Sequence, residues 1–157
     1  MKIKLLMIGK TTDAKLAALI DEYAGRLKYY INFEQTVIPE LKNAKNLTFE
    51  QQKEREGELL LAKLEKSDEV ILLDERGKHY TSIEFSDFIS KKMIFSNKSM
   101  VFVVGGPYGF SEKVYQRADS QISLSKMTFS HQMIRLFFTE QLYRAMTIIK
   151  GEPYHHE

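Results

Sequence analysis

The sequence predicts an α/β protein: a mostly parallel sheet with helices on both faces. Two observations predict it. Apolar spacing switches repeatedly between the strand and helix periods along the 157 residues. Strand and helix candidates then alternate, and such alternation implies parallel strands joined by crossover helices. No internal repeat, low-complexity segment or linker interrupts the pattern, so residues 1–157 read as one domain.

The elements follow in chain order. "IKLLMI" is a buried-strand candidate, and "DAKLAALIDEYAGRLKYY" carries a helical stripe of Leu16, Leu19, Ile20, Tyr23 and Leu27, with Asp13 as N-cap. "FEQTVIP" is a second strand closed by Pro39, and "ELKNAKN" reads as a polar loop. Thr48 opens a charged helix, with Gln51 completing a capping box. "EVILLD" is the third strand, and Thr81 with Glu84 forms another capping box before "SIEFSDFISKKMIF". "SMVFVV" is the fourth strand, Ser111 caps a short helix "SEKVYQRA", and "SQISLS" is a short fifth strand. The helix "HQMIRLFFTEQLYRAMTIIK" stops at Gly151. It is apolar on more than one face, which places it centrally in the core or partly at an interface; a dimer interface is the favoured reading. Pro153 keeps the helix from resuming, so "PYHHE" leaves as an extended arm or as a frayed end.

Composition narrows the function classes. There is no cysteine, which excludes disulfides and thiolate chemistry. "MKIKLLMIGK" is too quickly interrupted by polar residues for a signal peptide, and no apolar run reaches the ~18 residues of a membrane span, so the expected location is the cytoplasm. A net charge of +2 neither demands nor excludes nucleic acid. Between Lys126 and Lys150 the chain carries Lys126, Arg135, Arg144 and Lys150 against Glu140 alone, a basic face or simply a solvated helix.

The common devices are missing. "IGKTTDA" resembles the end of a P-loop, but Lys4 stands where that motif needs glycine. "GGPYG" does not fit the dinucleotide fingerprint. His79, His131, His155 and His156 lack metal-ligand spacing, and no nucleophile elbow is present. What remains is a ligand held by backbone. Gly105, Gly106 and Gly109 follow a strand end, where open α/β sheets place ligands, although a tight turn without a ligand would use the same glycines. The loop "SLSKMTF" lies at another strand end just before a helix. Two such loops point to one site more firmly than either alone.

"VFVVGGPYGF", "LSKMTFSHQMIR", "EQLYRA" and "PYHHE", in that order, together resemble the RlmH family of ribosomal large-subunit pseudouridine N3-methyltransferases in the SPOUT superfamily. "KIKLLMIGK" and "VILLDERGK" extend the resemblance over the whole chain. It implies a C-terminal trefoil knot, which few folds contain, and S-adenosyl-L-methionine as methyl donor with no metal. It places the cofactor on Leu73, Gly105, Leu124, Ser125, Lys126, Met127, Thr128 and Phe129. On this reading the glycines are there because a Cβ would collide with the cofactor. The chain departs from the family at Ser130, where proline commonly precedes the histidine, and at His156, where Arg or Lys commonly follows His155.

The implied reaction moves a methyl group from a sulfonium to a ring nitrogen whose proton must leave. His155, His131, Asp74 and Glu75 are the candidate bases, and Arg135 is a candidate for holding a phosphate or an anionic base. The implied partners are 23S rRNA within the ribosome and a second copy of the chain, with no membrane. Two other readings keep part of this picture: a non-enzymatic RNA-binding or ribosome-associated module, and a SPOUT enzyme acting on tRNA.

Overall fold

The computed structural model describes residues 1–156. The strands are β1 (Lys2–Ile8), β2 (Asn32–Ile38), β3 (Glu69–His79), β4 (Met100–Val104) and β5 (Ser120–Ser123). They form one sheet in the order β2-β1-β4-β3-β5, and every pairing is parallel. The helices are α1 (Ala14–Leu27), α2 (Phe49–Ala62), α3 (Ser82–Phe95), α4 (Glu112–Arg117) and α5 (Met133–Lys150), with a short 3-10 turn at Ala44–Asn46 inside the expected polar loop.

Side chains alternate across the strands and build two cores. On one face Ile3, Leu5, Met7 and Phe102 pack with Leu27 of α1, Phe85 and Ile89 of α3, and Phe138, Leu142 and Met146 of α5. On the other, Leu6, Ile8, Leu72 and Val103 pack with Leu60 of α2 and Val114 of α4. Both faces are therefore covered, as the parallel pairing requires. The surplus apolar surface of α5 is mostly absorbed within the chain. Phe138, Leu142 and Met146 are fully buried, while Phe137 and Met133 stay exposed.

The expected caps form. Asp13 accepts from the Lys15 and Leu16 amides at 2.8 and 3.0 Å. Both capping boxes close, Thr48 with Gln51 and Thr81 with Glu84. Ser111 differs: its hydroxyl makes no cap bond to α4 and is buried against Gly57 of α2. Gly151 takes the left-handed conformation that ends α5, at φ 70°. The tail beyond it is neither extended nor frayed. Tyr30 donates to Glu152 at 2.5 Å, Tyr154 donates to Glu140 at 2.9 Å, and the Tyr154 ring packs on Tyr143 at 4.8 Å. Residues 152–155 fold back on α1 and α5 because these side chains give the tail partners that a frayed end lacks.

Two backbone features shape the strand ends. The register of β3 against β5 shifts between Leu73 and Lys78, so residues 74–77 bulge from the sheet before Lys78 and His79 return to Ile122 and Ser123. At Gly77 a Cβ would lie 2.6–2.7 Å from backbone atoms of Gln121 and Ile122, a contact that no side chain can relieve. After β5 the chain runs back across the sheet ends: Gln132 accepts from the Thr12 amide at 2.9 Å and donates to the Lys10 carbonyl at 3.2 Å. The start of α5 is thereby fixed to the β1–α1 turn.

Candidate active site

Three segments converge on a cleft of about 320 Å³. β3 at its bulge supplies Leu73, Asp74, Glu75 and Arg76, short of the strand's end at His79, whereas the sequence reading ends the strand at Asp74. The loop after β4 supplies residues 105–110, and the loop after β5 supplies Leu124, Ser125, Met127, Thr128 and Phe129. Ligands in open parallel sheets bind at such carboxyl ends. Its apolar lining includes Leu73, Val104, Phe110, Ile122, Leu124 and Phe129, and carboxylates, hydroxyls and backbone are among its polar groups.

The polar groups are held in place. Tyr115 of α4 donates to Asp74, whose other oxygen accepts from the Arg76 amide at 2.9 Å. Burial and this carboxylate push the Tyr115 phenol up to about 12, so it stays a donor. Thr128 donates to Glu75 at 2.5 Å, which ties the third segment to the first. Ser125 accepts from the Met127 amide at 2.9 Å and fixes the turn between them. His131 lines the cleft as well. Burial first, and then the Arg135 charge, hold its imidazole below the ordinary value of 6.5, so it is neutral at pH 7.

Of the eight residues expected around a cofactor, seven border this cleft: Leu73, Gly105, Leu124, Ser125, Met127, Thr128 and Phe129. Lys126 does not; its side chain is exposed beyond the rim. The protein itself also packs closely on these glycines. A Cβ on Gly105 would press the Phe110 ring at 3.2 Å, and one on Gly106 would strike the Glu56 carboxylate at 2.5 Å. The glycines thus make room for the protein's own side chains, whatever the cleft holds. Gly109 is the one in this loop with a positive φ, 84°.

Arg135 is also corrected. It is fully buried, with Nη1 donating to the Gly9 carbonyl at 2.9 Å and to Thr11 at 3.1 Å, Nη2 to the Ile8 carbonyl at 2.8 Å, and Nε to the His131 carbonyl at 3.1 Å. Four donors are held inside the fold, so it faces neither a phosphate nor a base. It positions His131 by holding that residue's carbonyl. His155 lies at the opposite end of α5, beside Arg144 at 3.2 Å, and does not border the cleft of its own chain. Sequence reasoning missed Tyr115, whose position in "SEKVYQRA" carries no motif.

This fold and site define a class. The family described as "Predicted SPOUT methyltransferase" matches residues 1–155, and the chain belongs to that family. Within it, the chain is 62% identical over 156 residues to the Ribosomal RNA large subunit methyltransferase H of Christiangramia forsetii, covering 99% of each chain. It is 57% identical over 157 residues to the protein of that name from Flavobacterium johnsoniae, covering 100% of both. Among solved structures, the Ribosomal RNA small subunit methyltransferase E from Neisseria gonorrhoeae bound to S-adenosyl methionine aligns with a TM-score of 0.46 at 12% identity, over 95% of this chain and 66% of that one.

Proposed function

We propose that the protein is a methyltransferase that uses S-adenosyl-L-methionine to methylate N3 of a pseudouridine in 23S rRNA, acting on assembled ribosomes in the cytoplasm. The observation that carries this reading is the three-segment cleft, in a chain matching full-length relatives named as large-subunit rRNA methyltransferases. Family membership does not favour a non-enzymatic RNA-binding module, and those names favour large-subunit rRNA over tRNA.

The residues present fit the cofactor. Leu73, Ile122, Leu124 and Phe129 would hold its adenosine part, and Asp74 and Glu75 suit its positive charge. Among the described residues no group of three acidic, His or Cys side chains could hold a metal. Bound there, S-adenosyl-L-methionine supplies an electrophilic methyl group. The protein must position the base, exclude water and take up the N3 proton. Asp74 accepts from Tyr115 and Glu75 from Thr128, and His131, neutral at pH 7, is the proton acceptor we favour at the cleft. Burial and then the Arg135 charge keep it neutral, and Arg135 also fixes its backbone.

The proposal includes the C-terminal trefoil knot and a homodimer. The close backbone crossing at Gly77 and the return of the chain from the β5 edge to the β1–α1 turn favour the knot. The distance of His155 from its own cleft favours the dimer, because a tail that takes part in catalysis must then serve a partner's site. The test is methyl transfer from labelled S-adenosyl-L-methionine to 70S ribosomes, free 23S rRNA and tRNA, with the product nucleoside identified by mass spectrometry. N3-methylpseudouridine, formed fastest on ribosomes, is expected after chelator treatment. Label in tRNA alone, or equal rates on free RNA and ribosomes, would overturn the corresponding part.

A further inference from the structure

Phe49 is a large apolar side chain left 65% exposed at the first position of α2, and its ring stacks on Tyr108 at 4.1 Å and 22°. Tyr108 belongs to the glycine loop and borders the cofactor cleft, so this pair stands on the cleft's rim. The segment before Phe49 runs beside the same loop: Leu41 and Ala44 share a cavity wall with Gly106 and Pro107. It carries two exposed cations, Lys42 and Lys45, which make no ion pair among the described residues. None of these four side chains is used by the transfer reaction derived above.

We propose that Phe49 and Tyr108 form a stacking platform for an unpaired nucleobase next to the target nucleotide, with Lys42 and Lys45 holding the adjoining phosphates. This rests on the reading of the protein as an RNA methyltransferase. Single-stranded RNA is bound by aromatic faces that take bases and by basic side chains that follow the backbone. Tyr108 already covers one face of the Phe49 ring, and the ring's high exposure leaves the other to solvent. A two-ring stack is stiffer than a lone side chain, so a third ring loses less freedom in joining it. A cation–aromatic rim around a methyl-transfer cleft suits a loop nucleotide with its neighbours splayed out, rather than a duplex groove.

The chain contains no tryptophan, which makes a direct test possible. Phe49→Trp places a single indole in the platform, excited at wavelengths the eight tyrosines do not absorb. Titration with a large-subunit stem-loop RNA and with intact ribosomal subunits should quench its emission, because a base stacked on indole does so. Phe49→Ala should lower kcat/KM for ribosomes roughly tenfold, chiefly through KM, while Phe49→Trp retains the wild-type value. Cofactor affinity, measured by titration calorimetry, should not change, since Phe49 does not border that cleft. Replacing Lys42 and Lys45 together with alanine should flatten the dependence of log affinity on log salt by about two units at most. No quenching on RNA that demonstrably binds, or Phe49→Ala activity within twofold of wild type, would overturn the platform. Quenching of Phe49→Trp by ribosomes, together with a wild-type protein that binds ribosomes but methylates no RNA, would instead defeat the methyltransferase reading.

Discussion

Glu56 is 4% exposed, and its Oε1 has no hydrogen-bond partner, although it presses against the backbone of the cleft's glycine loop. Burial raises its carboxyl above the ordinary 4.5 against an opposing hydrogen bond from Gln52, and the nearby Glu40 charge adds to the rise. The unfolded chain therefore gives up this proton at a lower pH than the native one. The resulting contribution to stability is present below pH 4.5 and is lost as pH rises through the native value. Glu56→Gln keeps the shape and removes the charge. Its melting temperature should exceed that of the wild type at pH 7 by about 3 °C and match it near pH 4. An equal difference at both values, measured by calorimetry, would show that titration of Glu56 is not the cause.

At this scale the sequence is legible only where a residue's reason is local. Asp13, Thr48 and Thr81 cap because their partners lie three residues away or fewer, and each was readable as such. Gly105 was readable as a tight place, but the Phe110 ring behind it was not, since that contact depends on how the loop closes. Gly77 stood in "DERGK" with no signal at all. What requires it is the β5 backbone more than forty residues along the chain.

Among the elements, α5 does the most. It packs between α1 and α3 and anchors the β1–α1 turn through Arg135. Its apolar stripe was plain in the sequence, and its two-sided burial explains why one face was not enough. Arg135 misled because a charged residue is seldom fully buried unless paired, and here backbone carbonyls take the place of a partner. Arg135→Met should lower stability by at least about 3 kcal/mol, since three carbonyls and the Thr11 hydroxyl lose a charged donor. Cofactor affinity should fall with it, because His131 and the start of α5 lose their anchor. If the melting temperature were unchanged while ribosome affinity fell and its salt dependence weakened, Arg135 would be a phosphate ligand after all.

For the whole molecule, the proposed homodimer is tested by where the tail acts. Its ordering was not legible because it depends on Tyr30, 122 residues away from Glu152, and on how Tyr143 and Glu140 face the returning chain. One inactive variant would lack residues 153–157, and the other would carry Gly105→Val, with its melting curve checked because that change presses Phe110. Mixed under verified subunit exchange, the two should recover part of the activity, since one of the two sites in a mixed dimer has both an intact cleft and an intact tail. Activity that stays absent would place the tail's role within its own chain or outside catalysis.

The position of α5 also bears on how the protein is made. Strands β1 to β4 are synthesised before the helix that covers one of their faces, so a growing chain that ends at Ser130 exposes the surfaces later buried against Phe138, Leu142 and Met146. With every strand pairing parallel, none of these segments can close a hairpin while it waits. Nascent β1–β4 thus keeps an apolar sheet face open to solvent, sealed only when α5 emerges.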